Sequence, residues 1–375
     1  MSKAFDIVIV GAGPSAFSMA LALKNSNLSI AILEKSVFPR DKICGDAIPY
    51  EAYQTLKRID EKYYQQLYSI VDTSKIIYSR LVTPKGQDLH IKWNSKAFNC
   101  KRVTFDNQLF EWVKSDTDTC IYENTIFKNA VYSNESWTIE TSRETFEAKV
   151  LVGAGGVNCP VARRIANLKL DRAHTSGAVR AYFKNINGID NNTNEIYFLK
   201  DYPDSYFWIF PVGNNTYNVG FGLLSKSISN KKINVRQLFQ EIIDTDNIIK
   251  KRFNNAERLE KTTGFSIPLG SRSVAMSGAG YILLGDAAHL VEPFGGHGIG
   301  TGMWSGKVAA DFLRIAFEKQ QFTAKAMYQY DEKIQKSIGK RLSKQKTLQR
   351  IVVAFPFLIE IAARPYMKKI VRWLT

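Results

Sequence analysis

The chain has 375 residues, 45% of them hydrophobic, and carries a formal net charge of +16 from 51 Lys and Arg against 35 Asp and Glu. That length and apolar content exclude a small module and leave room for one large domain or two interleaved ones around a substantial core. Cys44, Cys100, Cys120 and Cys159 show neither metal spacing nor a disulfide framework, no apolar run of about twenty residues occurs, and no cleavable leader precedes the first strand; together these predict a cytoplasmic protein without a bound metal.

Residues 5–10 form a short β-branched run of the kind found in parallel strands covered on both faces. Gly11-Ala12-Gly13-Pro14-Ser15-Ala16 follows at once. Gly11 permits a sharp exit from the strand, Gly13 a close backbone approach to a pyrophosphate, and Ala16 close helix packing. Pro14 suits a first helical turn whose amides and positive dipole end face an anion. Residues 29–33 read as the second strand, ending at Glu34 and Lys35. Glu34, about twenty residues past the turn, is placed to accept from adenosine ribose hydroxyls and disfavours a 2′-phosphate. Strand, turn, helix, strand and acid in that order predict a dinucleotide site.

Residues 38–46 follow as a loop at the carboxyl edge of the sheet, where ligands bind. Residues 50–67 read as helix and 75–91 as alternating strands. Another helix opens after Lys101, with Asp106 as its cap, Leu109, Phe110 and Val113 as its apolar face, and Arg102 just ahead of it within reach of a ligand. Residues 137–140 and 145–151 are short strands. The second ends in Gly153-Ala154-Gly155-Gly156, a turn that again suggests close backbone approach.

From 176 to 222 the pattern changes to short strands at 179–184, 195–199, 206–210 and 217–222, which predicts an antiparallel sheet inserted between the nucleotide-binding pieces. In Pro203-Asp204-Ser205-Tyr206-Phe207-Trp208-Ile209-Phe210-Pro211 alternate rings face opposite sides of that sheet, and one side lines a long apolar pocket. Residues 281–284 form another buried strand meeting Gly285-Asp286, followed by Pro293-Phe294-Gly295-Gly296-His297-Gly298-Ile299-Gly300 and a helix over 301–317. Asp286 accepts from ribityl hydroxyls, and amides of the 295–299 turn stabilise negative charge on a flavin ring. Two separated nucleotide motifs imply one long cofactor. From Lys340 onward nine Lys and Arg stand against one Glu, flanking an apolar run at 351–359 that is too short to span a bilayer but suited to lie in its surface. This tail is a membrane-contacting segment or a cap on the core. No nucleic-acid motif accompanies the charge.

Taken together, the first glycine turn with Glu34, Arg102 ahead of its helix, and Gly285-Asp286 resemble the FAD-binding core of the hydroxybenzoate-hydroxylase-like flavoprotein superfamily, up to about Arg314. Within it, Pro39-Arg40-Asp41-Lys42-Ile43-Cys44-Gly45 matches P-R-x-K-x-C-G, and residues 203–211 match P-x-x-Y-x-W-x-F-P at every fixed position. Both motifs belong to geranylgeranyl-reductase-like enzymes. The resemblance implies an α/β fold of three parts. A Rossmann-like FAD-binding domain of the glutathione-reductase and hydroxybenzoate-hydroxylase type takes residues 1–75, 100–175 and 271–330. An inserted antiparallel-sheet substrate domain takes 76–99 and 176–270, and a helical tail takes 331–375.

The same resemblance implies non-covalent FAD, NAD(P)H or another external electron donor and an apolar isoprenoid substrate; the chain itself is read as a cytoplasmic monomer without nucleic acid, its tail in peripheral contact at the inner face of the membrane. The implied reaction saturates prenyl double bonds by hydride from reduced flavin. Cys44 donates or positions the proton, Arg40, Gly45 and Gly296 join the cofactor contacts, and Tyr206, Trp208, Phe210 and Pro293 shape the channel. There are departures. Gly155 stands where the superfamily has the acid of Gly-Ala-Asp-Gly, which weakens the case for direct NAD(P)H handling. Gly295-Gly296-His297 follows the hydroxylase version of its loop, with His289 and His297 as candidate acids. The alternatives are an FAD monooxygenase or halogenase, and a flavin-containing membrane-associated binding protein. Flavin halogenases carry W-x-W-x-I-P, from which Tyr206 and Phe210 depart.

Overall fold

The computed structural model describes residues 2–67, 69–70 and 73–364, apart from the Lys96 side chain. One sheet runs in the order β16 (Ser277–Gly278), β17 (Tyr281–Leu283), β9 (Thr145–Gly153), β1 (Lys3–Val10), β2 (Ile30–Leu33) and β6 (Cys120–Tyr122). The hairpin of β7 (Phe127–Ser133) and β8 (Ser136–Thr141) extends it beside β9. Pairing is parallel across β17, β9, β1, β2 and β6, so both faces need cover, and every residue of β2 is buried. That cover includes α1 (Pro14–Ala22), α4 (Arg102–Asp116), α7 (Ile299–Glu318) and α8 (Ala324–Ile334). Small residues let α7 lie directly on α1: a Cβ at Gly306 would stand 2.2 Å from the Ser15 carbonyl oxygen. The Ser18 hydroxyl also donates to the Met303 carbonyl at 2.8 Å.

The second sheet is ordered β14 (Glu257–Arg258), β10 (Thr175–Lys184), β13 (Thr216–Leu224), β12 (Tyr202–Pro211), β11 (Thr193–Leu199), β4 (Thr73–Val82), β5 (Asp88–Cys100) and β3 (Ala47–Ile48), with β15 (Thr263–Pro268) also on β10. It is not wholly antiparallel as expected, because β11 pairs parallel to β4. Alternation decides its faces. Phe207 and Ile209 of β12 enter a core closed by Leu238, Phe239 and Ile242 of α6 (Val235–Thr245), which follows α5 (Ser225–Asn230). Trp208 and Phe210 take the opposite side with Ala178.

Two further expectations change. The helix read over 50–67 is broken into α2 (Tyr50–Ile59) and α3 (Glu61–Leu67) at Asp60, whose backbone is extended while its carboxylate holds the Lys24 ammonium and the Lys62 amide. Asp106 does not cap α4. The helix already begins at Arg102, and Asp106 lies fully buried one turn later. The start of the tail, residues 331–339, caps the core through Ile334, Ile338 and Asp331, which accepts the Met276 amide at 2.7 Å. Beyond them come α9 (Lys340–Ala354) and α10 (Phe357–Ala362); the basic residues from 365 lie outside the described residues. No helix among the described residues is long and apolar enough to cross a membrane.

Candidate active site

The carboxyl ends of the parallel strands open into one cavity of about 1770 Å³ that continues across the second sheet to α9 and α10. Gly11 turns out of β1 with φ +104, and a Cβ there would stand 2.6 Å from the Gly155 Cα, so the two glycine turns abut. Gly13 precedes α1 with no side-chain cap, and a Cβ there would meet nothing within 4 Å. The first-turn amides are thereby left for an anion. Glu34 is buried at the end of β2 and accepts one amide on each oxygen, from Ala12 at 2.9 Å and Ser36 at 3.0 Å. A carboxylate accepts about four bonds, so it keeps capacity for ribose hydroxyls. Pro14, Ser15 and Lys35 line the same region. Ala16 does not: it is completely buried in the helix packing behind the wall, where a small side chain lets α1 sit close.

Deeper in, Asp106 gathers two arginines. Arg102 grips it with Nε at 2.7 Å and Nη2 at 2.8 Å, and Arg40 reaches it at 3.0 Å while donating to the Ala12 carbonyl at 2.5 Å. Burial works against the Arg102 charge, but Asp106 and the neighbouring Cys44 thiol hold it firmly protonated. Cys44 and Gly45 line the cavity beside the aromatic strip, with a Gly45 Cβ position only 3.7 Å from the Trp208 Nε1.

Across the cavity, Gly285 turns with φ +55 against Gly302 of α7, and Asp286 faces Lys42 at 3.5 Å. The N-terminus of α7 is uncapped at Gly298, so Gly298 and Ile299 present a second set of free amides. Just before it, His297 Nδ1 lies 3.4 Å from Glu292, and the absence of a Cβ at Gly295 makes room for the imidazole. Desolvation opposes both charges, yet the pairing wins: His297 is raised above its ordinary range and Glu292 held below its own. His289, the other candidate acid, is separate. It is buried with its Nδ1 unpartnered among the described residues, and burial, then the Arg272 charge, lowers it to about 4, so it is neutral at pH 7 and no acid.

Tyr206, Trp208 and Phe210 all face the cavity, as do Pro293 and Gly296. The Tyr206 hydroxyl donates to the Gly295 carbonyl at 3.0 Å, and burial pushes that phenol up to about 12. Sequence reasoning missed four residues here. Arg341 of α9 binds Glu51 at 2.7 Å and Glu292 at 3.1 Å, and Gln349 donates to the Pro293 carbonyl at 2.6 Å, so α9 is clamped over the loop before α7. Asp46, directly after Cys44-Gly45, is fully buried and accepts from the Tyr182 hydroxyl at 2.6 Å. Burial raises its carboxyl to about 6 against the pull of its bonds from Tyr182 and Asn218. Asn218 itself bonds both Asp46 and the Cys44 carbonyl. Position beside a motif marks Asp46; nothing in the sequence marks Asn218 or Arg341.

Residues 175–265, from the start of β10 into β15, match the geranylgeranyl reductase catalytic domain. Over that segment the chain is similar to the geranylgeranyl reductases, and it is an FAD-dependent oxidoreductase. It is 25% identical over 363 residues to the digeranylgeranylglycerophospholipid reductase of Methanocella arvoryzae, covering 94% of this chain and 88% of that one. The fold is shared with a geranylgeranyl bacteriochlorophyll reductase-like protein from Thermoplasma acidophilum, at TM-score 0.81 and 19% identity over 94% of this chain and 88% of that one. A flavin-dependent brominase matches at TM-score 0.82 and 19% identity over 99% and 93%. The α/β architecture expected from the sequence is therefore that of this reductase and halogenase class. Two uncapped helix starts that donate, with Glu34 and Asp286 that accept, fit a flavin dinucleotide.

Proposed function

We propose that the chain is an FAD-dependent reductase that saturates carbon–carbon double bonds of a prenyl lipid or a similar apolar substrate. The observation that carries this reading is the single cavity: at about 1770 Å³ it exceeds the roughly 300–1,000 Å³ of a one-ligand site, and it runs from anion-binding turns to an aromatic and aliphatic wall. When bound, FAD supplies hydride from its reduced ring. The amides at the start of α1 take the pyrophosphate, Glu34 the ribose, Asp286 the ribityl chain, and the start of α7 the pyrimidine edge. Cys44, held beside Arg102, donates or positions the proton. Tyr206, Trp208 and Phe210 exclude water and grip the hydrocarbon. Electrons reach the site from NAD(P)H or another external donor.

Phe355 and Phe357 are exposed at the junction of α9 and α10, and Arg350 and Arg364 are exposed as well, while Leu348, Ile351, Val352 and Leu358 line the cavity. The exposed rings and arginines support a peripheral seat on an anionic membrane surface; we read the protein as a cytoplasmic monomer. Removing residues after Lys346 then lowers sedimentation with anionic liposomes, and equal binding by a folded truncation removes the membrane seat.

For the chemistry, anaerobically reduced protein is mixed with a geranylgeranyl lipid. Reoxidation without oxygen supports the reductase. Reoxidation only with oxygen, accelerated by an aromatic ligand, favours the monooxygenase or halogenase reading that the brominase likeness keeps open. Cys44→Ala is expected to retain flavin and slow alkene turnover; unchanged turnover removes Cys44 from the mechanism.

A further inference from the structure

Asn218 of β13 is completely buried, and its amide joins three elements. Its Oδ1 accepts the Trp208 indole N–H at 2.9 Å, and its Nδ2 donates both to the Cys44 carbonyl at 2.7 Å and to Asp46 Oδ2 at 2.8 Å. Asp46 is pinned in turn by the Tyr182 hydroxyl at 2.6 Å, and its backbone is left-handed at φ +63. The bonds fix the amide's direction, because an indole N–H needs an acceptor on one side and two oxygens need a donor on the other. No other side chain bonds both the Cys44 loop and the aromatic strip among the described hydrogen bonds.

We propose that Asn218, backed by Asp46, is a positioning residue that sets the gap between Cys44 and Trp208 and so aligns a bound double bond with its proton source. The proposal deepens the prenyl-reductase reading and rests on it for the alkene. The groups facing Asp46 are Tyr182 and Arg180 from β10 and Asp41 from its own loop; Lys101 lies over the Tyr182 ring at 5.2 Å. Arg180 is spoken for by Asp41 at 2.7 Å and by Glu260. Asp46 therefore serves the bracket as an acceptor, and an amide in its place can take both bonds.

The test uses flavin-loaded protein and two readouts. The first is the alkylation rate of Cys44 by iodoacetamide, followed peptide by peptide by mass spectrometry. The second is kcat and KM on a geranylgeranyl lipid. Asn218→Leu, close in volume, is expected to raise Cys44 alkylation roughly tenfold as the loop opens. It should also lower kcat by roughly a hundredfold with KM little changed, as for a misplaced reacting group. Asp46→Leu should reproduce both effects, and Asp46→Asn should recover most of the loss. A rise in KM with kcat intact, or unchanged alkylation in both leucine variants, overturns the assignment; so does an Asp46→Asn variant as poor as Asp46→Leu, which would make the carboxylate's charge the active feature. Alkylation needs no substrate, so it separates failure of the bracket from failure of the prenyl-lipid reading.

Discussion

Where the parallel sheet meets the cavity, each ligand-facing group lies within a few residues of the strand that aims it: Gly11 and Gly13 after β1, Glu34 after β2, Gly285 and Asp286 after β17. The work there is done by backbone amides and turns. Where the second sheet meets it, side chains far apart in sequence converge, with Asp46 bonded to Tyr182 across 136 residues and to Asn218 across 172. The first region is specified by local conformation and the second by long-range complementarity. Damage to each should look different: loss of the cofactor in one case, misplacement of the substrate in the other.

The contrast breaks most plainly at Gly11. Gly11→Ala puts a Cβ 2.6 Å from the Gly155 Cα at φ +104, so both turns must shift. We expect a colourless protein destabilised by roughly 4 kcal/mol, read by flavin absorbance and thermal melting. Retention of full flavin content would show that the turns are not the binding element.

Asp46→Asn tests the second region through pH. Burial raises the Asp46 carboxyl from 3.8 to about 6, so the folded state holds this proton more tightly than the unfolded one. Its contribution is therefore most favourable below pH 4 and is lost as pH rises through about 6. The asparagine variant should flatten that slope, measured by denaturant unfolding across the range. A parallel pair of pH profiles would refute this.

The smallest effect is expected where the two regions touch. Tyr206→Phe removes only the hydroxyl bonded to the Gly295 carbonyl at 3.0 Å. It should cost about 1 kcal/mol and leave flavin in place, read as a modest drop in melting temperature. Loss of the flavin would mean that the substrate strip also holds the cofactor loop.

The same contrast explains what the sequence could reveal. The glycine turns, Glu34, Asp286 and the 203–211 strip were legible because their meaning is carried by neighbours in the chain, through turn chemistry and period-two alternation. Asp106 was misread as a cap because an acid near a helix start is locally ambiguous; only the arrival of Arg40 from a distant loop shows it to be a shared counter-ion. The parallel pairing of β11 with β4 and the clamp of Arg341 on Glu51 and Glu292 have no local signature at all. Asn218 sits in a strand of small and apolar residues where periodicity assigns a position and not a partner.

The seat of α7 on α1 bears on how this chain is made. The Ser18 hydroxyl finds its acceptor at Met303, 285 residues further on, and Gly306 fits against the Ser15 carbonyl. A nascent chain emerging from the ribosome therefore exposes the first glycine turn long before its covering helix exists. Cofactor capture must wait until the segment carrying α7 has been made, and chains stalled before it should be poor in flavin and prominent among the clients of chaperones.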